Sequence, residues 1–166
     1  LVREPWDIYF LKLATLVSTR SNCCRRHYGA VIVRDKAVVS TGYNGTPSGV
    51  QNCIAGGCPR CNSDTPPGEG YDRCICVHAE ANAILLAAKH GIDTKDTTMY
   101  CIARPCLSCM KEIIQSGIST VRYYEWYDNN LEVEEAYGQL IPRIKLVRHF
   151  LEGRELTRSQ MTTWPG

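Results

Sequence analysis

A chain of 166 residues, 44% of them apolar, has the size and composition of one packed domain. Its formal net charge of +2, with basic and acidic residues mixed along the chain, argues against a protein that tracks a nucleic-acid backbone or an anionic membrane surface. No run of about 18 apolar residues occurs, and the opening LVREPWDIYFLKLA carries charges where an export signal is apolar, so the expected setting is soluble and cytoplasmic.

Between residues 6 and 19, Trp6, Phe10, Leu13, Leu16 and Val17 recur at steps of three and four, which predicts a helix with those residues on its buried face. Residues 30–33 and 37–41 are short β-branched runs separated by Arg34, Asp35 and Lys36, the pattern of an antiparallel hairpin. Residues 42–71 are rich in Gly, Pro, Asn, Ser and Cys; a loop this long inside a compact domain needs a function or a tether, and metal is one such tether. Residues 79–90 (AEANAILLAAKH) are helix formers throughout and are followed by Gly91, a fitting C-terminal cap. A strand over 97–103, a helix over 106–116 opened by Pro105 and stopped by Gly117, and a strand over 121–125 come next. Alternation of strand and helix implies parallel pairing with helices packed on the sheet, an α/β layered domain of roughly five strands. Past residue 129 the pattern weakens to a helix near 133–137, a strand over 145–150 and an irregular tail. The expected organisation is a single domain over 1–166, with its core over about 6–128 and an extension over 129–166. The chain begins at Leu1 rather than a methionine, which leaves a longer parent open.

Ten cysteines in a small exported protein would form a disulfide framework, but here the core is large and no export signal is visible, so their grouping points to metal. They fall as a pair at Cys23 and Cys24, a run at Cys53, Cys58, Cys61, Cys74 and Cys76, and a last set at Cys101, Cys106 and Cys109. The most informative segments are His78-Ala79-Glu80 and Pro105-Cys106-Leu107-Ser108-Cys109, each at the start of a predicted helix. Cysteines at i and i+3 project from one side of a helix, and thiolates are stabilised by the unpaired N–H groups of its first turn. With His78, Cys106 and Cys109 as protein ligands, the fourth tetrahedral position of a zinc ion is left open to water, the arrangement of catalytic rather than structural sites. Glu80, two residues from His78, then lies beside the metal as the general acid and base. Alone, the C-x-x-C would read as a zinc knuckle or a redox pair and the HAE as an ordinary capped helix. Together and in this order, H-x-E followed by P-C-x-x-C match the signature of zinc-dependent base deaminases.

Three longer segments, TGYNGTPSG at 41–49, VHAEANAIL at 77–85 and MYCIARPCLSCMKEIIQSGI at 99–118, resemble the deoxycytidylate deaminase family, and the likeness spans about residues 6–128. HAE and PCxxC are shared with tRNA adenosine deaminases and riboflavin-pathway deaminases; the GYNG segment favours deoxycytidylate. The resemblance implies a cytidine-deaminase-like three-layer α/β/α sandwich with a mixed sheet of about five strands. It also implies hydrolysis of dCMP to dUMP with release of ammonia, feeding thymidylate synthesis. By the same likeness Asn44 contacts the sugar, while the Ala79 backbone and Glu80 read the pyrimidine edge. Family members are commonly homohexamers activated by dCTP and inhibited by dTTP, which would put an effector nucleotide and a magnesium ion near Tyr43, Asn44 and Gly45 at a subunit interface. Cys23 and Cys53 resemble structural-zinc positions. The other ligands come from among Cys58, Cys61, Cys74 and Cys76, for one structural zinc with a second left open.

The substrate phosphate needs cationic donors, and motif position nominates Arg25, Arg26 and Arg104. Arg104 stands where relatives carry a small or neutral residue, and Tyr28 where they carry a small aliphatic one, so the preferred phosphorylation state stays open. Cys24 and Cys101 read as packed thiols, and His27, His90 and His149 as surface residues. Tyr123, Tyr124, Trp126 and Tyr127 read as a strand end beside the core. Two other functions compete: a deaminase acting on a base within RNA or DNA, disfavoured by the near-neutral charge, and an inactive zinc-stabilised binding module, disfavoured by the intact HAE and PCxxC.

Overall fold

A computed structural model describes residues 3–126 and 130–150. The hairpin forms from β1 (Gly29–Arg34) and β2 (Ala37–Tyr43), closed at Asp35 and Lys36 with φ of 49° and 64°, the positive pair of a primed two-residue turn. The other strands are β3 (Thr98–Cys101), β4 (Thr120–Tyr123) and β5 (Lys145–Arg148), and the sheet runs β2-β1-β3-β4-β5. β1 pairs antiparallel with β2 and β3, whereas β3, β4 and β5 are parallel, so the sheet is mixed. The strand predicted over 97–103 is shorter than expected because Ile102 and Ala103 leave the β1 ladder, Ala103 bridging instead to Glu125.

Helices α1 (Trp6–Ser18), α2 (Ala79–Lys89), α3 (Leu107–Gln115) and α4 (Leu131–Leu140) cover the two faces. Val31, Val33 and Tyr100 pack on Phe10, Leu11 and Ala14 of α1. On the opposite face Ala30, Ile32, Met99, Cys101 and Val121 meet Ala79, Ala83, Met110 and Ile113, with Tyr137 of α4 joining them. The alternation of β1 side chains between two apolar layers explains a strand buried along nearly its whole length. The architecture is the three-layer α/β/α sandwich that the resemblance implied. The helix expected near 133–137 extends over Leu131–Leu140 because Asn130 caps it, its Oδ1 accepting from the Val133 N–H at 2.9 Å. The tail beyond residue 150 and Tyr127 lie outside the described residues, among which no helix is long and apolar enough to cross a membrane.

The buried face of α1 differs from the expected one. Phe10, Leu11, Ala14 and Ser18 are buried, while Leu16 is 63% exposed and Trp6 43%. The reason is backbone proximity: a Cβ at Gly29 would lie 2.0 Å from the Ala14 carbonyl oxygen and 2.7 Å from the Ser18 nitrogen. Where β1 starts against the helix only small residues fit, so α1 turns Ala14 and Ser18 inward and Leu16 out.

A second close approach sets the position of α2. A Cβ at Gly42 in β2 would meet the Ala79 carbonyl oxygen at 2.2 Å and the Ala83 nitrogen at 2.3 Å. These are backbone atoms that cannot swing away, so Gly42→Ala is expected to destabilise the protein by about 3 kcal/mol or more, at the upper end of overpacking costs. A urea midpoint within error of the parent would show that the two elements can separate at no cost.

α4 is held by a buried cation. Arg104, in the loop before α3, is 6% exposed; its guanidinium donates to both Glu134 carboxylate oxygens at 2.6 and 3.0 Å and stacks over Tyr137 at 4.0 Å. The Tyr137 hydroxyl in turn donates to the Pro105 carbonyl at 3.1 Å. Because Glu134 is partly exposed, Glu134→Ala is expected to cost about 2 kcal/mol, mostly from the buried charge left behind. Adding Arg104→Met should recover part of that loss in chemical denaturation; a double variant that is merely additive would mean the pair is not coupled.

Candidate active site

The strand ends Tyr43, Cys101 and Tyr123 and the start of β1 at Gly29 lie along one edge of the sheet. Two helices begin there. His78 is the N-cap residue of α2, with extended backbone (φ −73°, ψ 157°), and Cys106 is the N-cap residue of α3 (φ −68°, ψ 167°). The residue before His78 is fixed by a two-way backbone bridge, the Gly45 N–H donating to the Val77 carbonyl at 3.1 Å and the Val77 N–H to Gly45 at 2.8 Å. The Asn82 side-chain amide donates to the Tyr43 carbonyl at 2.8 Å, stitching the first turn of α2 to the end of β2. Before α3, the Arg104 N–H donates to the Glu125 carbonyl at 3.0 Å.

This convergence brings His78, Cys106 and Cys109 together. His78 Nδ1 lies 3.5 Å from Cys106 Sγ and 3.4 Å from Cys109 Sγ, and the three ligand atoms all fall within 4.8 Å of one another. A zinc ion with Zn–S of about 2.3 Å and Zn–N of about 2.0 Å in tetrahedral geometry has N···S edges of about 3.6 Å, so these side chains fit that metal. His78 is exposed, Cys106 half-buried and Cys109 buried, so the triangle opens to solvent on the histidine side.

Hydrogen bonding to the Cys109 thiol and then to His78 lowers Cys106 to about 4, and the hydrogen bond His78 donates to Cys106 raises the imidazole to about 9. The hydrogen bond to Cys106 and burial push the Cys109 thiol up. To hold a divalent cation these three side chains would give up their protons. Glu80, in the first turn of α2, is buried with its Oε2 3.8 Å from Cys109 Sγ, and burial raises its carboxyl above the ordinary range.

Other expected residues are placed unevenly. Asn44 is buried: its Oδ1 accepts from the Tyr28 N–H at 2.7 Å and lies 2.8 Å from the Ser21 hydroxyl, and its Nδ2 donates to the Arg26 carbonyl at 2.8 Å. Its side chain therefore ties the segment before β1 to the end of β2, with one amide hydrogen to spare. Tyr43 is exposed, and Gly45 acts through its backbone bridge to Val77. Ala79 is buried at the start of α2. Arg26 is exposed, its guanidinium donating to the Tyr28 hydroxyl at 3.2 Å. Arg25 is turned into the cysteine-rich loop, donating to the carbonyls of Cys61, Ser63 and Thr65. Arg104, nominated for the phosphate, instead spends its guanidinium on Glu134 and Tyr137 in the core. Glu134 and Tyr137 carry no motif, and Glu134 stands 30 residues from Arg104, so nothing local could have paired them.

The six cysteines named as structural ligands also meet. Cys23, Cys53, Cys61 and Cys76 have sulfurs all within 4.8 Å of one another, and so do Cys58, Cys61, Cys74 and Cys76. Cys24 is exposed, its Sγ 3.7 Å from Cys53 Sγ, and Cys101 is buried in the sheet core.

Comparison with known proteins agrees with this geometry. Residues 4–125 match the model of the cytidine and deoxycytidylate deaminase zinc-binding region. A protein of Saccharomyces cerevisiae named deoxycytidylate deaminase is 49% identical over 127 residues, 76% of this chain, and the chain spans only 40% of that protein's length. The deoxycytidylate deaminase of Mycobacterium phage D29 is 44% identical over 126 residues, 73% of this chain and 95% of its own. Among solved structures, the dCMP deaminase of cyanophage S-TIM5 in complex with dCMP and dUMP superposes with a TM-score of 0.70 at 29% identity, covering 90% of this chain and all of the phage chain. With its sandwich fold, its histidine–cysteine triangle and a family match across most of its length, the chain belongs to the cytidine and deoxycytidylate deaminase zinc-binding family.

Proposed function

We propose that the chain hydrolyses the exocyclic amine of dCMP, giving dUMP and ammonia, with zinc held by His78, Cys106 and Cys109 and protons carried by Glu80. The observation that carries the reading is the meeting of a solvent-open His-Cys-Cys triangle with a buried carboxylate 3.8 Å from one of its sulfurs. The kinship with proteins named for this reaction, one of them solved with dCMP and dUMP, supports the choice of substrate. Bound zinc supplies the Lewis acidity that makes water a nucleophile at neutral pH. Glu80 accepts a proton from the attacking water and passes it to the ring nitrogen; it then relays the proton of the new hydroxyl to the departing amine, so that ammonia leaves as the carbonyl forms. The Ala79 backbone, at the start of α2 beside Glu80, reads the pyrimidine edge by the family resemblance.

Arg26 is our choice for the substrate phosphate, because its exposed guanidinium donates to the Tyr28 hydroxyl, whereas Arg104 is buried against Glu134 and Arg25 is turned into the cysteine-rich loop; its selection is by motif position and exposure. Asn44 has one amide hydrogen left for the sugar; its main part is to hold Arg26 in place through the Arg26 carbonyl. Activation by dCTP and inhibition by dTTP would act through the Tyr43–Gly45 segment, since Gly45 is bonded to the residue preceding His78. The hexamer and the magnesium ion accompanying the effector rest on the family resemblance.

Ammonia release by the zinc-loaded protein is expected on dCMP and not on a short single-stranded oligonucleotide, rising with dCTP and falling with dTTP. Turnover confined to the oligonucleotide would move the protein to the nucleic-acid deaminases, and no turnover with metal bound would leave a binding module. Arg26→Gln should raise KM for dCMP while leaving deoxycytidine unaffected; an unchanged KM removes Arg26 from the phosphate site. Glu80→Gln should keep its zinc and lose on the order of 100-fold or more in kcat, the scale of positioned acid–base catalysis. Near-parental turnover by that variant is incompatible with the proton-relay role.

A further inference from the structure

We propose that the cysteine-rich loop holds two metal ions in one cluster of six thiolates, with Cys61 and Cys76 shared between them. The inference is independent of the deaminase reading and concerns a different part of the chain. Two groups of four sulfurs occur, each with every sulfur within 4.8 Å of the others, and Cys61 and Cys76 belong to both. Cys23 and Cys53 complete one tetrahedron, Cys58 and Cys74 the other.

In the Cys58–Cys74 group two edges have the right length. Four sulfurs about 2.3 Å from a central zinc lie about 3.8 Å apart. Cys58 and Cys61 each stand 3.8 Å from Cys74. The cysteine count allows two such centres only with sharing. Two separate four-thiolate centres need eight cysteines, and seven remain once Cys106, Cys109 and the sheet-buried Cys101 are set aside. Six suffice if two bridge, and the seventh, Cys24, is the exposed one.

The surroundings are built around all six positions. The Asn62 side-chain amide donates to the Cys53 and Cys58 carbonyls, both at 2.9 Å, linking a ligand of one tetrahedron to a ligand of the other. The Ile54 N–H donates to the Asn22 carbonyl at 2.8 Å, holding the Cys53 turn against the segment that carries Cys23. Arg25 donates to the Cys61 carbonyl at 2.7 Å, and buried Arg60 donates to the carbonyls of Pro66 and Glu69. Arg60 lies in the loop that encloses the cluster and Arg25, from the segment before β1, is turned into it; two divalent metals and six thiolates there would leave a net charge of about −2. A single metal bound to four of the six would leave two thiols packed against metal-bound thiolates, and Cys53 and Cys58 are fully buried.

The full chain, purified without chelator, should carry three zinc ions by metal analysis and native mass spectrometry, one at His78–Cys106–Cys109 and two in the loop. After exchange with cadmium-113, two cluster resonances should appear, each split by the other through the shared sulfurs, beside a third unsplit signal. Cys106→Ser should remove only the unsplit signal. Cys58→Ala should lose one cluster metal and abolish the splitting. Two zinc ions per chain, or two cluster signals without mutual splitting, would overturn the shared-thiolate arrangement. The parent protein decides the matter by itself if either variant does not fold.

Discussion

The contact between β2 and α2 at Gly42 is the constraint on which the site depends. Strand and helix backbones touch there, with no room for a side chain on the strand. That contact fixes the first turn of α2 against the sheet, and the Gly45–Val77 bridge and the Asn82 bond to Tyr43 then set the angle at which the chain reaches His78. With α2 so held, His78 and Glu80 face the first turn of α3, which is set independently by β3 and by the α4 anchor. A separation near 3.4 Å between a histidine nitrogen and a cysteine sulfur 31 residues apart is thus the product of two helix placements. Catalytic geometry held by rigid elements rather than by a mobile loop is what a positioned acid–base group requires.

The long loop before α2 illustrates a different way of stabilising backbone. Residues 51–76 contribute few apolar side chains, and their short helical turns, Cys53–Ala55 and Tyr71–Arg73, are too small to fold by themselves. The buried residues in this stretch are mainly cysteines, joined by Arg60. Bonds from Asn62, Arg25 and Arg60 to loop carbonyls satisfy polar groups that would otherwise face one another without water. Thiolate–metal bonds at the proposed cluster would supply the folding free energy that an apolar core supplies elsewhere. Since Cys76 stands two residues before His78, the loop and the site share one stretch of chain, and loss of loop metal would be felt at the imidazole.

Two polar residues nominated for the ligand, Asn44 by the family resemblance and Arg104 by its motif position, are used by this chain to organise itself. Buried Arg104 is compensated by a bidentate carboxylate and an aromatic face, which lets α4 close over the loop leading to Cys106. Asn44 spends most of its hydrogen-bonding capacity on Tyr28, Ser21 and the Arg26 carbonyl. Each therefore influences the site by fixing backbone that carries other functional groups. Exposed Arg26, its guanidinium donating to the Tyr28 hydroxyl, has its backbone held by Asn44.

The sequence by itself determined the residues that meet at the candidate site and most of the elements, because both are local. H-x-E and P-C-x-x-C each lie within one helical turn, and the hairpin, α2 and α3 are written in short-range periodicity, turn chemistry and glycine caps. Only the tertiary structure decided which face of α1 is buried, since Ala14 and Ser18 win over Leu16 through the backbone of Gly29, which no periodicity can register. It likewise decided that Arg104 pairs with Glu134 and that Cys61 and Cys76 belong to two groups of sulfurs at once. Those outcomes depend on distances between segments remote in sequence, and such distances exist only once the sheet order and the helix placements are set.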